Sequence, residues 1–244
     1  MFTLCIPTMD RFDKFLINNL PRYIDNEYIN EIIISDENGR DIEKIKNHIP
    51  SSPKLKLFKN ETTLGPLFNK LKACSLATNE WIALIDSDNF ADTSYFKTAK
   101  EYIQANIKDG KNVILSPSKA RPNFDYTKLI GHVFKKGSFK AYNDIQRNHS
   151  LTETMMNTGN YVINKHLIDN LNLEDEMKLG IQTNSPWDVI YLNTLMFEQL
   201  DLHLHVVGNL EYDHVVHDGS IYINTYMHHQ HFSAYVHNRY RNLP

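Results

Sequence analysis

Short apolar runs alternate with amphipathic stretches through the first half of this chain, and that alternation predicts most of its elements. Phe2-Thr3-Leu4-Cys5-Ile6-Pro7 is a first strand stopped by Pro7, and Glu31-Ile32-Ile33-Ile34-Ser35 a second. Continuous β-branched and apolar runs of this kind suit strands covered on both faces. Lys54 to Lys59 alternates lysine with apolar residues, as a strand with one wet face does. Trp81 to Ile85 is uninterrupted and apolar, and Val113-Ile114-Leu115 follows as a further strand. Between them the pattern predicts helices over Phe12 to Tyr23 with Asp10 as N-cap, from about Ile42, from Pro66 to about Ala77, and from Thr93 to Asp109. Strands alternating with helices predict an α/β fold: a doubly wound, mostly parallel central sheet flanked by helices, with right-handed crossovers.

Beyond Pro117 the regularity is lost. Ser118 to Ser150 is polar, contains Gly131 and Gly137, and allows a hairpin over Val133–Phe139; loops this long inside a domain tend to carry function. A short strand Tyr161 to Ile163, a helix from Lys165, and a helix from Ser185-Pro186-Trp187-Asp188 to about Glu198 come next. Leu202 to Val207 is the last clear strand, Tyr212 to Ser220 a loop rich in His and Asp, and Met227 to Tyr240 an aromatic helix. One domain over residues 1–244 is expected.

Composition narrows the class. A formal net charge of −3 gives no electrostatic case for nucleic acid. Cys5 and Cys74 sit among apolar neighbours, as buried reduced thiols do. The first strand begins one residue after Met1, leaving no signal peptide, and no apolar run is long enough to cross a bilayer. A cytoplasmic protein is the expectation.

The candidate chemistry starts at Asp86-Ser87-Asp88, where the Trp81–Ile85 strand ends. Open α/β sheets bind ligands at the carboxyl ends of their strands. Two carboxylates there suit a hard divalent cation, Mn²⁺ or Mg²⁺, whose remaining ligands are phosphate oxygens and water. Asp-x-Asp alone occurs about once by chance in a chain this long, so the strand before it carries the weight. Asp36 sits at another strand end, where it either contacts a ligand or caps the turn before Ile42. Asp188 closes a Ser185-x-x-Asp188 capping pattern at the start of a helix. His217, with His214 as the second choice, is a candidate metal ligand, and a solvated loop histidine is the alternative. His228, His229 and His231 read either as a second metal site or, since adjacent histidines on a helix point apart, as a solvated or acceptor-facing surface, which is favoured.

In order and spacing these segments resemble the nucleotide-sugar-dependent glycosyltransferases of the GT-A fold, in particular inverting family 2. Ile6-Pro7-Thr8 with Arg11 is similar to that family's first strand and loop, and Ile34-Ser35-Asp36 with Gly39 to its second-strand Asp segment; both meet the nucleotide. Asn60, Gly65 and Asn69 resemble the third segment, whose basic residue would be Lys70 or Lys72. Asp86-Ser87-Asp88 matches the metal and diphosphate motif. Thr158-Gly159-Asn160 resembles the acceptor-side glycine loop, Trp187-Asp188 the position of the catalytic carboxylate, and His217-Asp218-Gly219-Ser220 the segment supplying a further metal ligand.

The resemblance implies a donor-binding half over residues 1–117 and an irregular acceptor-side half over 118–244. It implies metal-dependent transfer from a nucleotide-diphosphate sugar, UDP first, to a glycan or other hydroxyl acceptor, with inversion. The aromatic tail suits sugar rings or a membrane interface, and its few basic residues favour the soluble glycan. A sugar nucleotidyltransferase would carry a glycine-rich loop after its first strand, whereas Pro7-Thr8-Met9-Asp10-Arg11 has no glycine. A non-catalytic nucleotide-sugar or glycan-binding module would have no need to keep Asp86, Asp88, Asp188 and His217 together.

Overall fold

The computed structural model describes residues 1–137, 155–173, 188–219 and 230–243. Among the described residues, nine strands form one sheet: β1 (Phe2–Thr8), β2 (Ile29–Asp36), β3 (Leu55–Lys59), β4 (Trp81–Leu84), β5 (Val113–Arg121), β6 (Phe124–Asp125), β7 (Val133–Phe134), β8 (Tyr161–Asn164) and β9 (His203–Asp213). Their order is β3-β2-β1-β4-β8-β5-β9-β7, with β6 paired to β5. β1 to β5 and β9 run one way; β6, β7 and β8 run the other.

Strand period decides the layers. Leu4, Ile6, Trp81, Ala83 and Ile85 face one way, onto Leu20 of α1 (Ile17–Ile24) and Tyr95 and Phe96 of α4 (Thr93–Asn106). Cys5, Ile82 and Leu84 face the other, onto Leu67 of α3 (Gly65–Ser75) and Ile190 and Leu195 of α6 (Asp188–Gln199). Successive side chains of a strand point to opposite faces, so burial on both sides requires the unbroken apolar runs seen in the sequence. Between these helices lie α2 (Arg40–His48) and the short α5 (Lys165–Asp169).

Several elements depart from the expectations. β8 inserts antiparallel between β4 and β5, with Leu84 opposite Tyr161 and Trp81 opposite Asn164. β5 continues past Pro117 to Arg121. Its pairing with β8 is confined to Ile114 and Leu115, and its register on β9 shifts between Pro117 and Lys119, so the missing proline N–H falls at an irregularity. β7 pairs with β9 and makes no hairpin of its own among the described residues. Asp10 does not cap the first helix: its φ is +56°, and a turn of π-helix over Phe12–Leu16 precedes α1. The tail helix α7 (Gln230–Arg241) buries Val236 and Tyr240 in the core, and Arg239 is ion-paired to Glu198 of α6 at 2.7 Å. Packing therefore accounts for that helix without an acceptor.

The chain passes from β1 to β2 and β3 on one side, then returns to place β4 on the other. That reversal is a topological switch point, where the crevice at the carboxyl edge of such sheets opens. β8 runs antiparallel, so its amino end, preceded by Gly159 and Asn160, arrives at the same edge.

Candidate active site

A cleft of about 600 Å³ opens at this edge. Thr8 and Arg11 of the loop after β1, Lys70 of α3, Asp86, Ser87 and Asp88 after β4, Gly159 and Asn160 before β8, Asp188 of α6 and His214 after β9 all line it. Sequence-predicted residues from six separate segments thus converge on one wall. Trp187 and the pair His228–His229 lie outside the described residues, as does residue 139 of the expected hairpin.

Lys70 is the centre of the arrangement. Leu67, Lys70, Leu71 and Cys74 share the buried face of α3, which puts an ammonium where an apolar residue would be expected; Lys72 is exposed. Lys70 Nζ stands 2.7 Å from Asp86 Oδ1 and 2.9 Å from Asp188 Oδ2. Burial alone would lower its pKa, but the Asp188 and Asp86 carboxylates hold it above the ordinary lysine value. Asp86 is fixed further by Asn160, whose Oδ1 accepts from Asp86 N–H at 2.6 Å and whose Nδ2 donates to Asp86 Oδ2 at 3.2 Å. Asn160, read from the sequence as acceptor-side, lines the cleft and orients Asp86. Asp188 Oδ2 is fully buried and meets Lys70 as an ion pair, with no aligned hydrogen bond to it among the described residues.

Asp88 turns the other way. Its Oδ2 lies 3.0 Å from His217 Nε2, and Gly219 N–H donates to His217 Nδ1 at 3.1 Å. With Nδ1 accepting, a neutral ring carries its proton on Nε2 and donates it to Asp88. The sequence grouped Asp86, Asp88 and His217 as one ligand set. The structure divides them: Asp86 faces Lys70, and no three His, Cys, Asp or Glu side chains converge as a cation cage among the described residues. His214 stacks edge-on to Phe124 and contacts Asn123 Nδ2 at 2.7 Å, and burial lowers its pKa against the opposing pull of Asp88 and Asp86.

The loop after β1 is held by a residue that the sequence reading passed over. Asp41 of α2, 1% exposed, accepts from Thr8 Oγ1 at 2.5 Å, Arg11 N–H at 3.0 Å and Phe12 N–H at 2.9 Å. It caps from a distance the helix start expected to belong to Asp10. Arg11 then reaches Gly219 O at 2.7 Å, tying this loop to the His217 segment. Asp36 is not on the cleft wall. It is fully buried and accepts from Ile42 N–H at 2.9 Å, the capping alternative, while the wall position goes to Glu37, which accepts from Leu64 N–H at 2.7 Å. Burial raises the pKa of both carboxyls. Replacing Asp41 with Ala strands three donors, so stability should fall by about 2–4 kcal/mol. Urea unfolding checks this, and Asp41→Asn, which keeps one acceptor, should lose less.

Gly159 sets where Asp188 sits. A Cβ added there would stand 2.6 Å from Cγ2 of Val189, a stiff β-branched neighbour of Asp188. Gly159→Ala should therefore displace the first turn of α6, costing about 1–3 kcal/mol and more in turnover than in ligand affinity. Val189→Ala in the same chain should restore much of both; failure of that rescue in a turnover assay refutes the packing account.

Fold and cleft together define an α/β protein that presents an acidic, lysine-bridged pocket at the switch point of its sheet. The chain belongs to glycosyl transferase family 2, whose profile matches residues 3–164. No curated protein sequence matches it. Among solved structures, S. aureus TarS 1–349 in complex with UDP-GlcNAc is 16% identical with a TM-score of 0.59, over 90% of this chain and 59% of that one. The mannosyltransferase PcManGT from Pyrobaculum calidifontis in complex with GDP-Man and Mn²⁺ is 15% identical with a TM-score of 0.61, over 95% and 61%. The likeness is one of fold, of GT-A type, and the chain spans about three-fifths of each. No described helix is long and apolar enough to cross a membrane.

Proposed function

We propose that this chain is a metal-dependent glycosyltransferase that moves a sugar from a nucleoside-diphosphate sugar, UDP-linked first and GDP-linked second, to a hydroxyl of a glycan acceptor with inversion. The observation that carries the reading is the division of labour across one cleft: an Asp88–His217 pair on one side, and Asp188 on the other, linked through Lys70 to Asp86.

The donor set fits Mn²⁺ or Mg²⁺. Asp88, with His217 beside it at 3.0 Å, would hold the ion, and the rest of its shell would be phosphate oxygens and water. A cation there would neutralise charge on the departing diphosphate. The wall itself calls for one: among the described residues, Glu37, Asp86, Asp88 and Asp188 face Lys70 and Arg11 as the only Lys or Arg on the wall, and a diphosphate adds further negative charge.

Asp188 is the proposed general base. The acceptor oxygen bonds to the anomeric carbon, the anomeric C–O bond breaks with its electron pair leaving on the nucleoside diphosphate, and the acceptor proton passes to the Asp188 carboxylate. Phe124 and Val216 give the cleft an apolar lip, suited to the C–H face of a sugar. Thr8, Arg11 and Ser87 are proposed on the donor side, and Gly159 and Trp187 on the acceptor side.

Titration calorimetry against UDP- and GDP-sugars, with and without Mn²⁺, tests the reading. Mn²⁺-dependent binding followed by slow donor hydrolysis is expected. Binding without any turnover would leave a binding module, and turnover of a sugar phosphate with a nucleoside triphosphate would make it a nucleotidyltransferase.

A further inference from the structure

The two carboxylates around Lys70 are not held alike. Asp86 keeps its place without the lysine, since Asn160 hydrogen-bonds both its backbone N–H and its Oδ2. Asp188 Oδ2 is buried against Lys70 alone, as an ion pair at 2.9 Å without an aligned hydrogen bond among the described residues. An ammonium is a compact charge with three rotatable donors on a flexible stem, so it exchanges partners without moving the backbone. The side chain of Lys70 is 9% exposed and lines the cleft, within reach of an incoming anion.

We infer that the donor diphosphate and the Asp188 carboxylate compete for the Lys70 ammonium, so that donor entry releases Asp188 into the cleft. The inference rests on the nucleotide-sugar reading and adds an order of events to it. While the pair is closed, Asp188 Oδ2 faces a cation rather than an acceptor hydroxyl. When phosphate oxygens take the lysine, Asp86 stays with Asn160 and Asp188 is the partner set free. Lys70 thereby couples filling of the donor site to exposure of the base, which favours transfer only after donor has bound.

The competition has a sign that a purely structural ion pair lacks. Removing one competitor strengthens binding of the other, so Asp188→Asn should bind UDP or GDP, each with Mn²⁺, about threefold to tenfold more tightly than wild type. Lys70→Met should weaken the same binding by about tenfold. In a Lys70→Met background, Asp188→Asn should change affinity by less than about twofold, because the contested cation is gone. Calorimetry on the four proteins reads this cycle, with thermal melts to confirm folding. Lys70→Gln and Asp188→Ser replace any variant that fails to fold. Unchanged or weaker binding by Asp188→Asn overturns the inference. So does equal tightening with and without Lys70, which is general relief of repulsion. If wild type binds neither UDP nor GDP, the nucleotide-sugar reading fails and takes this inference with it; failure of the cycle alone leaves that reading standing.

Discussion

Asp88→Ala is expected to abolish the Mn²⁺-dependent part of nucleoside-diphosphate binding while the protein stays folded. Asp88 lies on the turn after β4, and its partner His217 comes from the loop that follows β9. Their side chains are 22% and 12% exposed, so the pair is partly hydrated and worth no more than about 1 kcal/mol to the fold. Its value to a cation is larger. Loss of a group that merely orients a metal ligand costs about 10–100-fold in metal affinity, and loss of the ligand itself should exceed that. Calorimetry with UDP and GDP, with and without Mn²⁺, should show the metal-dependent increment gone and the melting temperature little changed. His217→Ala should act in the same direction by a smaller factor. If Asp88→Ala binds metal and nucleotide as wild type does, the cation is held elsewhere and the proposed division of the cleft is wrong.

What the sequence reveals of this fold follows the range of the forces involved. β1, β2 and β4 are legible because strands buried on both faces read as near-continuous apolar runs, and β3 because its lysines alternate with apolar residues, both local patterns. The place of β8 is not, because its partners across β4 are dozens of residues earlier and nothing near Tyr161 encodes antiparallel insertion. The same division runs through the site. Asp86 and Asp88 stand out because they end an apolar strand. That they serve different partners is set by Lys70 and by His217, which is 129 positions from Asp88. Asp10 looks like a helix cap by position, yet the N–H groups of Arg11 and Phe12 at that helix start are taken by Asp41, 30 and 29 positions later. Lys70 could have been told from Lys72, since it interrupts the apolar stripe of Leu67, Leu71 and Cys74. A charge on a buried helix face needs a counter-charge, and Asp86 and Asp188 supply it.

Asp188→Asn is expected to lower turnover by about 10²–10⁴-fold without weakening donor binding. The amide matches the carboxylate in shape and keeps one oxygen for the start of α6, so the first turn of that helix should hold. It cannot take the acceptor proton at neutral pH. If the residue acted only as a helix cap, the substitution would cost a fraction of the 0.5–2 kcal/mol that caps contribute, visible as a lower melting temperature with turnover preserved. A general base gives the opposite result: melting near that of wild type, a fall in kcat, and a nucleotide affinity that is retained or improved because Lys70 has lost a competitor. Donor hydrolysis by water discriminates further, as water also needs a proton acceptor and should slow in parallel with transfer to the acceptor. Turnover within about threefold of wild type in a folded Asp188→Asn variant would remove Asp188 from the chemistry. A carboxylate elsewhere on the cleft wall, Glu37 first by its place there, would then be the next to test.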